Sequence, residues 1–238
     1  MRNYATMRIV FTFSALLISL AVIGCEKAEV LKINGSSTVN PPVAEAASVL
    51  RKQEGIKIRV DIQGGSSGGI SMLGEGLVHI GMSSKDLSDD DRKKFPNTDF
   101  RSIRIGGDAV ALVVSREVWE GGVKSLTRTQ MQQIYEGKAK NWSQIGGPDL
   151  PIVFFNKEPG RGTWSVFAKW LYGKADKAPP ASFPEVGANE EARNKVGSTP
   201  GAMTQLSYSW ADRDRVFPLA LSDGTKTVEP SPESIRTG

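Results

Sequence analysis

Cysteine and histidine are almost absent: the 238 residues contain one of each. A single Cys excludes an intrachain disulfide. One Cys with one His also excludes a Cys/His zinc centre and any triad that needs a second His. Charge of one sign is scarce as well. The 30 Lys+Arg stand against 26 Asp+Glu, for a net charge of +4 with no clustered basic stripe, so no nucleic-acid partner is expected. There is one long apolar run, Ile9–Ile23, and it is broken by Thr12, Ser14 and Ser19. At 15 residues it is shorter than the roughly 20 that a helical span requires. What the chain does contain is glycine (25) and proline (13), hence many tight loops, within a composition of 39% hydrophobic and 24% charged residues that reads as globular. The length suits one large domain or two lobes of about 100 residues each.

Residues 1–24 read as a signal peptide, with Arg2 and Arg8 as its basic region and Met7 as an alternative start. The run closes on Val22-Ile23-Gly24-Cys25, which resembles the lipobox of bacterial lipoproteins. That resemblance implies cleavage before Cys25 and lipidation of its thiol. The processed chain then carries +2 and is held at a membrane surface by acyl chains, with a localisation in the periplasm or at the cell surface.

From Val30 the pattern alternates between short apolar strands and helices. Val30–Ile33 is a strand; Pro41-Pro42 opens a helix through Val43, Ala46, Ala47 and Leu50, which Gly55 stops. Ile56–Ile62 alternates as a half-buried strand, a short helix runs through Ile70 and Leu73, and Val78–Met82 is another strand. This rhythm predicts a parallel α/β sheet. Ile103–Ser115 is a long apolar stretch with Gly106-Gly107-Asp108 inside it, the form of a strand that leaves one lobe and enters another. A second unit follows: a helix over Leu126–Glu136 capped by Thr127, a strand over Pro151–Phe155, a polar loop over Asn156–Gly162 and a helix over Thr163–Tyr172. Gly201–Trp210 and Val216–Leu221 read as strands.

Three loops share one chemistry. Gly35-Ser36-Ser37-Thr38, Gly64-Gly65-Ser66-Ser67-Gly68 and Gly160-Arg161-Gly162-Thr163 each follow a strand and open a helix. A helix start has unpaired N–H groups and partial positive charge, glycine admits close approach, and hydroxyls add donors. Three such ends converging would bind a tetrahedral oxyanion. None fits a Walker lysine loop or a dinucleotide fingerprint.

These loops resemble those of the phosphate-binding proteins of ABC transporters. His79-Ile80-Gly81-Met82-Ser83-Ser84-Lys85-Asp86-Leu87 is similar to the family's third loop. Ile134-Tyr135-Glu136-Gly137-Lys138-x-x-Asn141-Trp142-x-x-Ile145-Gly146-Gly147 is similar to a second-lobe segment, and Thr199-Pro200-Gly201-Ala202 also fits. The likeness runs from about Ile33 to Gly238. It implies a two-lobed α/β fold of the type II periplasmic-binding-protein class. Each lobe would be a mixed, mostly parallel sheet flanked by helices, and the ligand would sit in the interlobe cleft. The lobes would comprise 25–107 plus 214–238, and 108–213. It also implies a non-enzymatic protein without cofactor or metal, a monomer that takes inorganic phosphate to an ABC permease. Carried over by position, the ligand-binding residues are Ser36, Ser37, Thr38, Ser66, Ser67, Ser83, Ser84, Lys157, Arg161, Gly162 and Thr163.

The chain departs from the family pattern in three places. Lys157 stands where the family has its phosphate-binding Arg, and a Lys is a point charge without the bidentate fork. Arg161 stands where Ser is usual; it either replaces the lost guanidinium or extends to solvent. Ser84 stands where some members carry the carboxylate that accepts the phosphate proton, leaving Asp86 and Asp108 as the nearby acids. The family also continues past Gly238 into a further strand and helix, so a truncated or short form is expected. The alternatives are another oxyanion (sulfate, molybdate, tungstate, phosphonate), a sensory receptor, a nonfunctional paralogue, and an exported serine hydrolase. The hydrolase is disfavoured because no Gly-x-Ser-x-Gly has a paired base.

Overall fold

Pro41 and Pro42 decide where the first helix begins, because their missing N–H groups fall in the turn whose N–H groups are unpaired anyway. The computed structural model describes residues 29–179 and 182–237, so the signal segment and Cys25 lie outside the described residues. Strand β1 (Leu31–Gly35) leads into helix α1 (Asn40–Glu54), which stops at Gly55 in the left-handed conformation. Strand β2 (Ile58–Asp61), helix α2 (Gly65–Gly74) and strand β3 (Ile80–Met82) follow. The sheet order is β2-β1-β3, all parallel, with α1 and α2 as the crossovers that parallel neighbours require. Its core is Ile33, Ala47, Ile58 and Met82. Helix α2 lies unusually close to the sheet: a Cβ on Gly69 would sit 2.6 Å from the Met82 carbonyl oxygen and 2.8 Å from that of Asn34. Glycine there brings the start of α2 beside the β1–α1 loop.

A second sheet has five strands in the order β7 (Glu185–Val186), β6 (Val153–Lys157), β8 (Ala202–Ser207), β4 (Val110–Val114) and β9 (Phe217–Pro218). It is mixed: β6 runs parallel to β7 and β8, while β4 is antiparallel to β8 and β9. All six residues of β8 are buried, which places packing on both faces. One face meets Trp142, Phe154, Phe167, Leu171 and Met203, and the other meets Val196, Leu206 and Val216. Trp142 is fully buried and satisfies its one donor by giving Nε1–H to the Gly201 carbonyl at 2.9 Å. Between and around the strands lie α3 (Asp89–Lys94), α4 (Arg116–Glu120), β5 (Ser125–Thr127), α5 (Arg128–Tyr135), α6 (Gly162–Tyr172) and α7 (Asn189–Gly197). None of the helices among the described residues is long and apolar enough to cross a membrane.

Two sequence expectations are corrected here. Ile103–Ser115 is not one strand: pairing begins at Val110, and Ile103 and Ile105 are 83% and 64% exposed. Gly106-Gly107 interrupts the extended run, and only the part beyond it finds sheet neighbours. Val216–Leu221 is likewise two strands that go to different sheets. Phe217–Pro218 joins β4, while β10 (Ala220–Ser222) pairs with β5 and with β11 (Thr227–Val228). Both β9 and β10 thus bond to strands within residues 108–213. A last helix, α8, covers Pro232–Thr237.

Candidate anion-binding site

Three helix starts and one strand end line a small cavity of about 10 Å³, bounded by Ser36, Ser37, Thr38, Gly65, Ser66, Ser84, Arg161, Gly162 and Thr163. This is far smaller than the roughly 300–1,000 Å³ of pockets for drug-sized ligands. Helices α1, α2 and α6, which open on it, carry no side-chain N-cap. Helices α3 and α5, elsewhere, each have a full capping box, Ser88 with Asp91 and Thr127 with Gln130 (α4 and α7 are uncapped too). The N-cap residues of the helices at the cavity therefore leave their helix-start N–H groups without a capping side chain.

The hydroxyls form a connected set. Ser36 Oγ donates to Ser84 Oγ at 2.9 Å and accepts from the Thr38 N–H at 3.2 Å. Ser66 Oγ accepts from the Ser84 N–H at 3.1 Å and shares a hydrogen with Ser84 Oγ at 3.2 Å. The only charged wall residue is Arg161. Its Nε and Nη2 donate to Glu158 Oε2 at 2.9 and 2.7 Å, which fixes the plane of the guanidinium. Its Nη1 is buried, has no acceptor among the described residues, and lies beside Gly65 in the cavity wall. An unpaired buried donor costs about 1–3 kcal/mol, and more when charged, so this one calls for an anionic acceptor.

Of the residues expected from the sequence, Ser36, Ser37, Thr38, Ser66, Ser84, Arg161, Gly162 and Thr163 meet at this cavity. Ser67, Ser83 and Lys157 do not. Ser67 gives its N–H to the Gly160 carbonyl at 3.2 Å. Ser83 Oγ closes a local turn by donating to the Lys85 carbonyl at 2.7 Å. Lys157 ends strand β6 instead of lying in a loop. It is fully buried, and Nζ donates to the Gly187 and Ala188 carbonyls, both at 2.9 Å. Burial first, and the Arg161 guanidinium second, push its pKa down to about 7. Asp86 is exposed; Asp108 is exposed as a residue, but desolvation of its carboxyl raises its pKa despite hydrogen bonds from Ser207 and the Ala109 and Ser209 backbone, and neither acid lines the cavity. His79 Nδ1 accepts from the Lys32 N–H at 3.0 Å, tying two strands of the first sheet together.

Sequence reasoning missed Asn189, and it placed Gly65 in an oxyanion loop without counting it among the ligand-binding residues. Gly65 is wall because Arg161 passes over it: a Cβ there would sit 2.5 Å from Arg161 Cδ. Asn189, buried at the start of α7, bonds to Ser37 and Thr38 from more than 150 residues away. No local motif marks Asn189. Gly162 is required for the same steric reason as Gly65, since a Cβ there would overlap the Ser84 hydroxyl and reach 2.9 Å from the Ser84 carbonyl. Overpacking of this kind costs about 1–3 kcal/mol. Gly162→Ala is therefore expected to weaken oxyanion binding roughly 5- to 150-fold in a calorimetric titration.

The family model of the PBP superfamily domain matches residues 25–237, which takes in every loop of the cavity. The chain belongs to the PBP superfamily. Among curated proteins it is 30% identical over 209 residues to the phosphate-binding protein PstS of Bacillus subtilis, covering 87% of this chain and 65% of that protein. It is 28% identical over 189 residues to PstS of Borreliella burgdorferi, covering 77% and 65%. The chain thus spans a little under two thirds of the length of these relatives. Among solved structures, this superfamily member is similar to a Clostridium perfringens substrate-binding protein assigned to phosphate ABC transport and carrying bound phosphate. The TM-score is 0.74 at 31% identity, covering 87% of this chain and 80% of the other. An ABC-type phosphate transport receptor from Vibrio cholerae gives a TM-score of 0.61 at 25% identity, covering 87% and 81%.

Proposed function

We propose that this PBP-superfamily chain is a solute-binding lipoprotein that captures inorganic phosphate and delivers it to an ABC permease. The observation that carries the reading is Arg161 Nη1, a buried cationic donor without an acceptor, in the wall of a cavity otherwise made of hydroxyls and uncapped helix starts. Charge-assisted hydrogen bonds contribute about 1.5–3 kcal/mol each, so a few such donors suffice for selective capture of a dehydrated anion. Bound phosphate in a structural relative and the phosphate-binding names of the curated relatives support this ligand. Binding and release involve no covalent chemistry. On this reading Cys25 is lipidated, the protein is a monomer at the membrane surface in the periplasm or outside the cell, and the ligand-binding residues are the eight side chains and backbones of the predicted set that line the cavity.

One observation favours a second ligand beside phosphate: none of the wall residues is acidic. A wall carboxylate would repel a fully ionised anion, whereas hydroxyls and N–H groups accommodate sulfate as readily as hydrogen phosphate. Isothermal titration with phosphate and then sulfate, in a buffer free of both, tests the proposal. Saturable phosphate binding at one site per chain is the expected result, with sulfate competing. A folded sample that gives no heat with either anion would end the solute-binding reading. Binding of sulfate alone would keep the site and change its cargo.

A further inference from the structure

Asn189 is 1% exposed, stands at the first turn of α7, and is not part of the cavity wall. Its Nδ2 donates to Thr38 Oγ1 at 3.1 Å, and its backbone N–H donates to Ser37 Oγ at 3.3 Å. Its Oδ1 accepts from the Ser207 N–H at 3.5 Å. This last contact sets the orientation of the amide. A backbone N–H is only a donor and requires the oxygen on its side, so Nδ2 must face Thr38. A hydroxyl has one hydrogen and two lone pairs. With an N–H from Asn189 on a lone pair of each, the Ser37 and Thr38 hydrogens are turned away from Asn189, and both residues line the cavity.

Asn189 is itself held from behind. The two carbonyls just before it, Gly187 and Ala188, are the acceptors of Lys157 Nζ, and the Gly187 N–H donates to Glu191 Oε2 at 2.9 Å. Strand β6 therefore carries Lys157 to the turn that presents Asn189. Four residues later the same segment carries Arg161 to the cavity.

We propose that Asn189 is a positioning residue which fixes the Ser37 and Thr38 hydroxyls as donors toward a bound oxyanion, and that Lys157 holds Asn189 in register. The inference rests on the anion reading of the cavity. It makes the two hydroxyls differ in a testable way. Thr38 depends on the Asn189 side chain, whereas Ser37 depends only on the backbone N–H, which any residue at 189 keeps.

The test is a double-mutant cycle read by phosphate titration, with thermal melts to establish folding. Thr38→Val should lower affinity roughly 10- to 100-fold in the otherwise native protein, the range expected for a hydrogen bond to an ion. In an Asn189→Ala background, where the Thr38 hydroxyl is no longer oriented, the same change should cost no more than about 3-fold. Ser37→Ala should cost the same in both backgrounds. If Asn189→Ala does not fold, Asn189→Asp serves in its place. It is isosteric, sets an acceptor against Thr38, draws the hydroxyl hydrogen out of the cavity and should abolish the Thr38 effect in the same way. Equal Thr38→Val losses in both backgrounds would overturn the proposal. So would a Ser37→Ala loss that shrinks together with that of Thr38, because a general distortion would move both. Absence of phosphate binding by the native protein would instead remove the anion reading on which the inference depends.

Discussion

Replacing Arg161 by alanine is expected to cost at least about 100-fold in phosphate affinity while the fold survives. Two N–H groups of Nη1 are buried without an acceptor, and each charge-assisted bond to an anion is worth about 1.5–3 kcal/mol. The cost to the ligand-free protein is small. Arg161 pairs with Glu158, whose side chain is 43% exposed, and pairs of that kind contribute about 0–1 kcal/mol. Removing an unsatisfied buried donor works in the other direction, so the melting temperature of the free protein should change little or rise. What should vanish is the rise in melting temperature on adding phosphate, since a ligand stabilises only the state that binds it. Arg161→Lys should fall between the two, because an ammonium cannot hold Glu158 and reach the anion with a fixed fork. Retention of affinity within about 3-fold by Arg161→Ala would place the anion elsewhere.

Lys157→Met is expected to have the largest effect on stability. Methionine fills much of the same space but withdraws both donors from the Gly187 and Ala188 carbonyls. Each stranded acceptor costs about 1–3 kcal/mol, offset in part because no amine need be desolvated. A net loss of about 2–4 kcal/mol is expected, and at about 2–4 °C per kcal/mol for a domain of this size it is readily seen in a melt. The pH dependence distinguishes this residue from a generic core change. In the folded protein its pKa is lowered to about 7, while an unfolded Lys titrates near about 10.4. Between these values the unfolded chain binds the extra proton, so stability from this group rises with pH. The contribution is full above about 10.4, declines as pH falls toward about 7, and is constant below that. The gap between native and Lys157→Met stabilities should therefore widen from neutral to alkaline pH. A neutral amine still has two N–H groups, enough for both carbonyls, so the geometry persists through the titration. A gap that does not change with pH would show that Lys157 keeps an ordinary pKa in the fold.

Lys157 and Arg161 show how far the sequence can be read. Both are cations in one polar stretch, four positions apart, and both stand where an anion contact is plausible by pattern. Which of them reaches the cavity depends on where β6 ends. Strand pairing with β7 extends β6 past its last β8 partner at Phe155 and through Lys157, whose side chain is buried with Nζ at the α7 turn. The chain then leaves the sheet and Arg161 crosses over Gly65. No local rule distinguishes the two, because the deciding contacts come from residues 65 and 187.

Short-range features were legible because their physics is local. Pro41-Pro42 with Gly55 bounds α1, Thr127 caps α5 with Gln130, and the Gly/Ser/Thr junctions mark three helix starts with free donors. From these alone the chain is an α/β protein with loops suited to an oxyanion. The tertiary structure decided the rest. It separated Val216–Leu221 into strands of two sheets: Leu219 still gives its N–H to the Leu112 carbonyl beside β4, and from Ala220 the chain bonds along β5 instead. It also brought Asn189 to Ser37 and Thr38 across more than 150 residues. Hydroxyl direction is set by whichever donor occupies the lone pair, and that donor is chosen by packing between distant elements, not by neighbours in the chain.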